Sequence, residues 1–143
     1  MDHANGGLRE RRRTTALILP ISLAAAGAAA LINFWLAMRV ARLRGRHDVM
    51  IGDGGNHEMI AAMRAQANFV EYTPFVLIMA ALVELAKGSS LLLATVLGVY
   101  LIGRIAHGVG MTGDVRGRMV GTATTMLTLL GLALYAIFLS YSG

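Results

Sequence analysis

The chain has 143 residues, of which 56% are hydrophobic and only 15% charged, a balance that excludes an ordinary soluble domain and points to the membrane. It contains no cysteine, which removes disulfides, thiolate metal sites and a cysteine nucleophile. The net charge of +5 comes from arginines in the N-terminal tail and the connecting segments, so it reads as membrane-flanking charge and not as a nucleic-acid surface.

Residues 1–13 read as a disordered basic tail, and 14–142 as one membrane domain. Thr14 to Met38 is uncharged and bracketed by Arg11-Arg12-Arg13 and Arg39, long enough to cross a bilayer at about 1.5 Å per residue. A cleaved signal peptide is disfavoured because apolar character continues through Leu31 to Leu36. Trp35 has the position of an interfacial anchor. Pro20, inside this first span, calls for neighbouring helices to cover the carbonyl it frees. Arg39 to Arg44 extends the helix past the bilayer, and Gly52-Asp53-Gly54-Gly55 is loop. Asn56 caps the second helix, with Glu58 in its first turn.

The second span covers Met59 to Ala86 and the third Ser89 to Met111, joined by Lys87-Gly88 as a tight hairpin. Glu84 sits three residues before Lys87 and reads as its interfacial partner. After Thr112 to Arg118 comes the fourth span, Met119 to Tyr141, with no charge. The spans predict an all-α, up-down-up-down four-helix membrane bundle with both termini on one side. Positive charge is nearly balanced between the two sides, which leaves orientation unset. Ser22, Ala26 and Ala30, and separately Gly117 and Gly121, are small residues at four-residue spacing that serve close helix approach, within the bundle or between copies.

The most informative stretch is Arg64-Ala65-Gln66-Ala67-Asn68-Phe69-Val70-Glu71-Tyr72-Thr73-Pro74, near the start of the second span. Charge within a membrane segment is costly unless it is paired or faces a cavity. With Arg64 at zero on a helical wheel, Asn68 falls near about 40°, Glu71 near about −20° and Tyr72 near about 80°; Gln66 falls on the opposite face. Tyr100, Arg104, His107 and Met111 form a second stripe on the third span. The two stripes are expected at similar depth, on the side bordered by Arg42, Arg44, Arg116 and Arg118. Two guanidiniums and a carboxylate there suit an anionic ligand that also carries an amine.

Structural alternatives stand beside this. Arg64 and Glu71 neutralising each other would account for both charges. His107 has no second ligand at helical spacing, so no metal site is expected, and a hydrogen bond to a neighbouring helix is its plain role. Tyr100 suits packing, and the arginines at 39–46 suit lipid headgroups.

The motif Arg64-Ala65-Gln66-Ala67-Asn68, followed by Glu71-Tyr72 and Pro74, resembles the membrane-associated proteins in eicosanoid and glutathione metabolism. Val99-Tyr100-Leu101-Ile102-Gly103-Arg104 and Arg118 fit the same pattern, and the resemblance covers about residues 15–140. It implies a trimer of four-helix bundles with glutathione as co-substrate at the subunit interfaces. It makes Arg64 a clamp for a glutathione carboxylate, gives Asn68 and Glu71 the γ-glutamyl end, and has Tyr72 line the tripeptide. Gln66 and a basic residue at Arg42 or Arg44 would reach the adjacent subunit's site. Arg104 and His107 join the glutathione-binding set, and Arg118 stabilises the thiolate. The chain departs from members closest to leukotriene synthesis, which carry tyrosines at the positions of His107 and Met111. That departure turns the reading away from a leukotriene synthase and towards a bacterial member in the inner cell membrane.

The implied activity is transfer or peroxidase chemistry between glutathione and a lipophilic electrophile dissolved in membrane lipid, which needs no protein nucleophile. A non-catalytic lipid-binding or scaffolding member is the alternative, suggested by the missing tyrosine pair. A small transporter subunit is a third reading, weakened by the absence of broken helices or an inverted repeat.

Overall fold

A computed structural model describes residues 18–142. The expected basic tail and Thr14 to Leu17 lie outside them. Four helices follow in order: α1 Pro20–His47, α2 His57–Lys87, α3 Leu91–Gly110 and α4 Val115–Ser142. All four are long and apolar enough to cross a membrane, and the described residues form an all-α four-span bundle.

The ends of the helices follow local chemistry. Pro20 opens α1 instead of interrupting it, at a first-turn position where the missing N–H would have had no intrahelical partner. The expected uncovered carbonyl therefore does not arise. At its other end α1 runs past the bilayer-length segment to His47, as the Arg39 to Arg44 continuation predicts, and stops at Asp48 in a left-handed conformation. The Asn56 side chain accepts from the Met59 N–H at 3.0 Å, the cap read from sequence. Ser90 caps α3 in the same way, accepting from Leu93 N–H at 3.2 Å. Both Asp114 carboxylate oxygens accept from the first turn of α4, from Arg116 N–H at 3.0 Å and Gly117 N–H at 3.3 Å. Between α2 and α3, Gly88 turns the chain at φ 79°, a conformation that favours glycine.

The helices pack as two antiparallel hairpins, α1–α2 and α3–α4, laid side by side. α2 touches all three others, as does α3, whereas α1 and α4 make no close backbone approach. The inward stripe of α1 (Ala25, Ala29, Ile32, Leu36, Val40) meets Met59, Ala62, Ala65, Phe69, Val76 and Ala80 of α2. In lipid this packing rests on van der Waals fit, since the surroundings are as apolar as the core. The Gly117–Gly121 pair serves packing inside the bundle. A Cβ on Gly121 would collide with His107 and the Gly103 carbonyl, and one on Gly103 would lie 2.8 Å from Thr124 Cβ.

Glu84 is not the partner of Lys87. Its side chain is 1% exposed and turned to the start of α1. It accepts from Ile21 N–H at 3.1 Å, Ser22 N–H at 2.8 Å and the Ser22 hydroxyl at 2.6 Å, and from the Ser89 hydroxyl at 2.7 Å. The cap residue of α1, Leu19, has no side chain for the task, so a carboxylate 62 residues away in sequence does it. Glu84 thus ties α1, α2 and the α2–α3 turn together. Replacing it with alanine strands two backbone N–H groups and two hydroxyls, at a cost of about 2 kcal/mol or more. A thermal melt in detergent should show Glu84→Ala unfolding several degrees below the parent, with Glu84→Gln between them. Equal melting of all three would refute this role.

Candidate functional site

Two contacts set the register of α2 against α3. Thr73 Oγ1 and Tyr100 Oη share a buried hydrogen bond of 2.8 Å, and Arg104 Nη1 donates to Asn68 Oδ1 at 2.9 Å. The Arg64–Tyr72 and Arg104–Met111 stripes therefore lie at one depth, on the side of the long loop, as the sequence predicts. Arg104 Nη1 also donates to Thr125 Oγ1 at 2.9 Å, which brings α4 into the same layer.

The two stripes face different ways. Arg64 and Glu71 are exposed on the outer face of α2, among Ile60, Phe75, Ile78 and Leu82, which are exposed along the same helix. Asn68 and Tyr72 are half-buried at the edge of that face. Neither Arg64 nor Glu71 has a hydrogen-bond or ion-pair partner among the described residues. They are seven residues apart, roughly 10 Å along the helix axis. Mutual neutralisation, the plain account of this pair, is not what the fold does. Gln66 is half-buried on the other flank of α2, as its wheel position predicts.

The α3 stripe points inward. Tyr100 is 0% exposed, Arg104 1% and His107 4%. His107 packs against Gly121 of α4, and its Nδ1 has no partner. Met111 packs with Trp35 on the cluster of Leu36 and Phe69. Arg104 stands with its guanidinium carbon 5.4 Å from the centre of the Phe69 ring. A single chain therefore does not gather all the predicted residues in one open pocket. Arg104 and His107 lie behind the polar face, and Asn68 connects the two.

Of the flanking arginines, Arg42 is exposed, but Arg44 is committed to the loop after α1. It donates to the Met50 carbonyl at 3.2 Å and the Val49 carbonyl at 3.4 Å. Arg118, exposed in the first turn of α4, stands where the α4 backbone crosses close over Gly110. That is the mouth of the same layer, one helical turn from the Gly121–His107 contact.

Three partners escaped sequence reasoning. Thr125 and Thr73 satisfy buried groups on α3, and only the helix pairing reveals them. Arg39, read as a membrane flank, instead donates to the Gly108 carbonyl at 2.6 Å and Thr112 Oγ1 at 2.7 Å while lying 5.1 Å from the Trp35 ring centre. Its place on the C-terminal carbonyls of α3 is one a cation favours. No group of three or more metal-ligating side chains occurs among the described residues.

The chain matches the MAPEG family profile over residues 22–138. It is 32% identical over 103 residues to inner membrane protein YecN of Escherichia coli strain K12, covering 71% of this chain and 78% of the relative. The same figures hold for the YecN protein of Escherichia coli O6:H1.

Proposed function

The chain belongs to the MAPEG family, and from that premise we propose that it is a glutathione-dependent transferase or peroxidase of a bacterial inner membrane, working as a homotrimer on lipophilic electrophiles. The inner-membrane assignment draws on the YecN relatives, which are inner membrane proteins by name. One observation carries the ligand assignment. Arg64 and Glu71 stand exposed, with no partner among the described residues, on one face of a membrane-spanning helix, with Asn68 and Tyr72 half-buried at its edge.

A lipid-facing charge costs several kcal/mol, so this face needs cover. A second copy of the chain supplies it, and a ligand with a carboxylate and an ammonium neutralises both charges. The spacing suits a tripeptide, whose extended length is also roughly 10 Å. Arg64 takes a carboxylate through its planar fork, and Glu71 takes the amine. Tyr72 lines the peptide. Gln66, on the far flank of α2, serves the neighbouring subunit's site. Arg42 is the basic residue contributed across the interface, since Arg44 is held by the loop.

Chemistry then needs only an ionised sulfur. A free thiol has a pKa of about 8.5, and lowering it by two units takes about 2.7 kcal/mol of preferential thiolate stabilisation. Arg118, at the mouth of the layer and in the first turn of a helix, supplies positive charge of both kinds. The thiolate attacks an electrophilic carbon, forming a carbon–sulfur bond as the leaving group departs with the electron pair. With a hydroperoxide, it instead takes the terminal oxygen and releases an alcohol, and a second glutathione completes the disulfide with loss of water.

A second reading, a non-catalytic lipid-binding member, is favoured by a different feature. A mostly apolar groove of about 470 Å³ runs between α3 and α4 from Lys87 and Ser90 to Val99 and Leu127. It opens on the side of the membrane opposite the polar face, and its one cation could meet a lipid carboxylate or phosphate.

Isothermal titration of the purified protein with glutathione tests the lead. Arg64→Ala should weaken binding by more than about tenfold, the loss of a charge-assisted hydrogen bond shielded from water. Unchanged affinity in a folded Arg64→Ala protein would remove Arg64 from the site. Arg118→Ala should still bind glutathione while losing the ultraviolet absorbance of the thiolate and the turnover of a model electrophile. Full turnover by that variant would exclude Arg118 as the activator. Binding without any thiolate in the parent protein would favour the lipid-binding reading.

A further inference from the structure

Arg104 is a guanidinium at membrane depth with no acidic partner among the described residues. It is 1% exposed, and its Nε and Nη2 are buried without hydrogen-bond partners. A buried charge satisfied this incompletely is a poor device for stability. Its hydrogen bonds, however, have a direction that chemistry fixes without ambiguity. Arginine only donates. The atom of Asn68 that faces it at 2.9 Å must therefore be the carbonyl oxygen Oδ1. Thr125 is fixed in the same way: its hydroxyl donates to the Gly121 carbonyl at 2.8 Å and accepts from Arg104 at 2.9 Å. Arg104 on α3 thus donates both ways, to α4 and to α2, and it leaves Asn68 with one group to offer outward, the two N–H donors of Nδ2.

We propose that Arg104 is a positioning residue that locks the Asn68 amide with its NH₂ towards the polar face, so that this point of the site accepts a carboxylate and rejects an ammonium. Without Arg104 the amide can turn over and present either end. With it, the edge of the face carries a fixed order: Asn68 offers donors, and Glu71, one helical turn on, offers acceptors. A carboxylate and an amine borne by a single carbon match that order. The end of the ligand held there is thus a free α-amino acid head, oriented with its carboxylate on Asn68 and its ammonium on Glu71. The inference rests on the glutathione reading above and adds to it the residue that sets the polarity of Asn68.

The test uses two ligands on the purified full-length protein. One is glutathione; the other is its analogue with γ-aminobutyrate in place of the γ-glutamyl residue, which keeps the amine-bearing chain and lacks the α-carboxylate. The parent should prefer glutathione by about tenfold or more, and Arg104→Met should lose most of that preference by weakening glutathione alone. Arg104→Lys, which still can only donate, should restore part of it. Asn68→Asp presents acceptors where the parent presents donors, keeps a partner for Arg104, and should also bind glutathione about tenfold or more weakly, with the analogue little changed. A merely structural Arg104 would weaken both ligands alike, and that result in a folded Arg104→Met protein overturns the proposal. If Arg104→Met does not fold, Asn68→Asp decides: parent-like glutathione affinity there overturns it equally. No binding of glutathione by the parent defeats the underlying reading instead, and is seen before any variant is made.

Discussion

A charge inside a bilayer has to be surrounded by something other than lipid, and this chain meets that demand to three different degrees. Glu84 is fully engaged, with backbone and hydroxyl donors from the start of α1 and a hydroxyl from the α2–α3 turn. Arg104 is shielded by the bundle but only half satisfied, resting on Asn68, Thr125 and the Phe69 ring. Arg64 and Glu71 are left uncovered on the surface of α2. The gradation from closed to open runs across the bundle from a purely structural charge to the face on which a ligand and a second copy of the chain are proposed to sit.

The fold makes this gradation possible. Because α1 and α4 stay apart, α2 and α3 form the short diagonal of the bundle, and both are in touch with every layer. α3 turns its polar stripe towards α2 and α4, where close helix approach at Gly103 and Gly121 leaves little room for anything but side chains already in place. α2 has its buried stripe on Ala62, Ala65, Phe69, Thr73 and Val76, so Arg64 and Glu71 fall outward and Asn68 and Tyr72 at the edge. Asn68 is the residue common to both environments. Its outer side belongs to the candidate site, and its inner side to the buried hydrogen-bond chain.

The sequence made the helices readable because span length, Gly and Asn punctuation and uncharged runs are local signals. The Asn56 cap and the run of α1 beyond the bilayer were legible for the same reason. Local reasoning failed where the partner was remote. Glu84 three residues before Lys87 looks like an ion pair, and only the α1–α2 packing shows that it caps Ser22. Pro20 looks like an interruption when the span is taken to begin at Thr14, but it is the first residue of α1. The wheel placed Arg104 and His107 on one face correctly. It could not say that the face turns inward, because the direction depends on which helices are neighbours. Arg44, grouped with Arg42 by charge alone, separates from it once the loop carbonyls it holds are in view.

The central claim is that the uncovered charges of α2 are completed by both a second copy of the chain and a bound tripeptide. Native mass spectrometry of the protein in mild detergent, with and without glutathione, measures both at once. The account predicts a homotrimer that takes up glutathione in steps to three per assembly, more populated with the ligand than without. A monomer or dimer in every detergent, or a trimer that gains no glutathione mass, would contradict it.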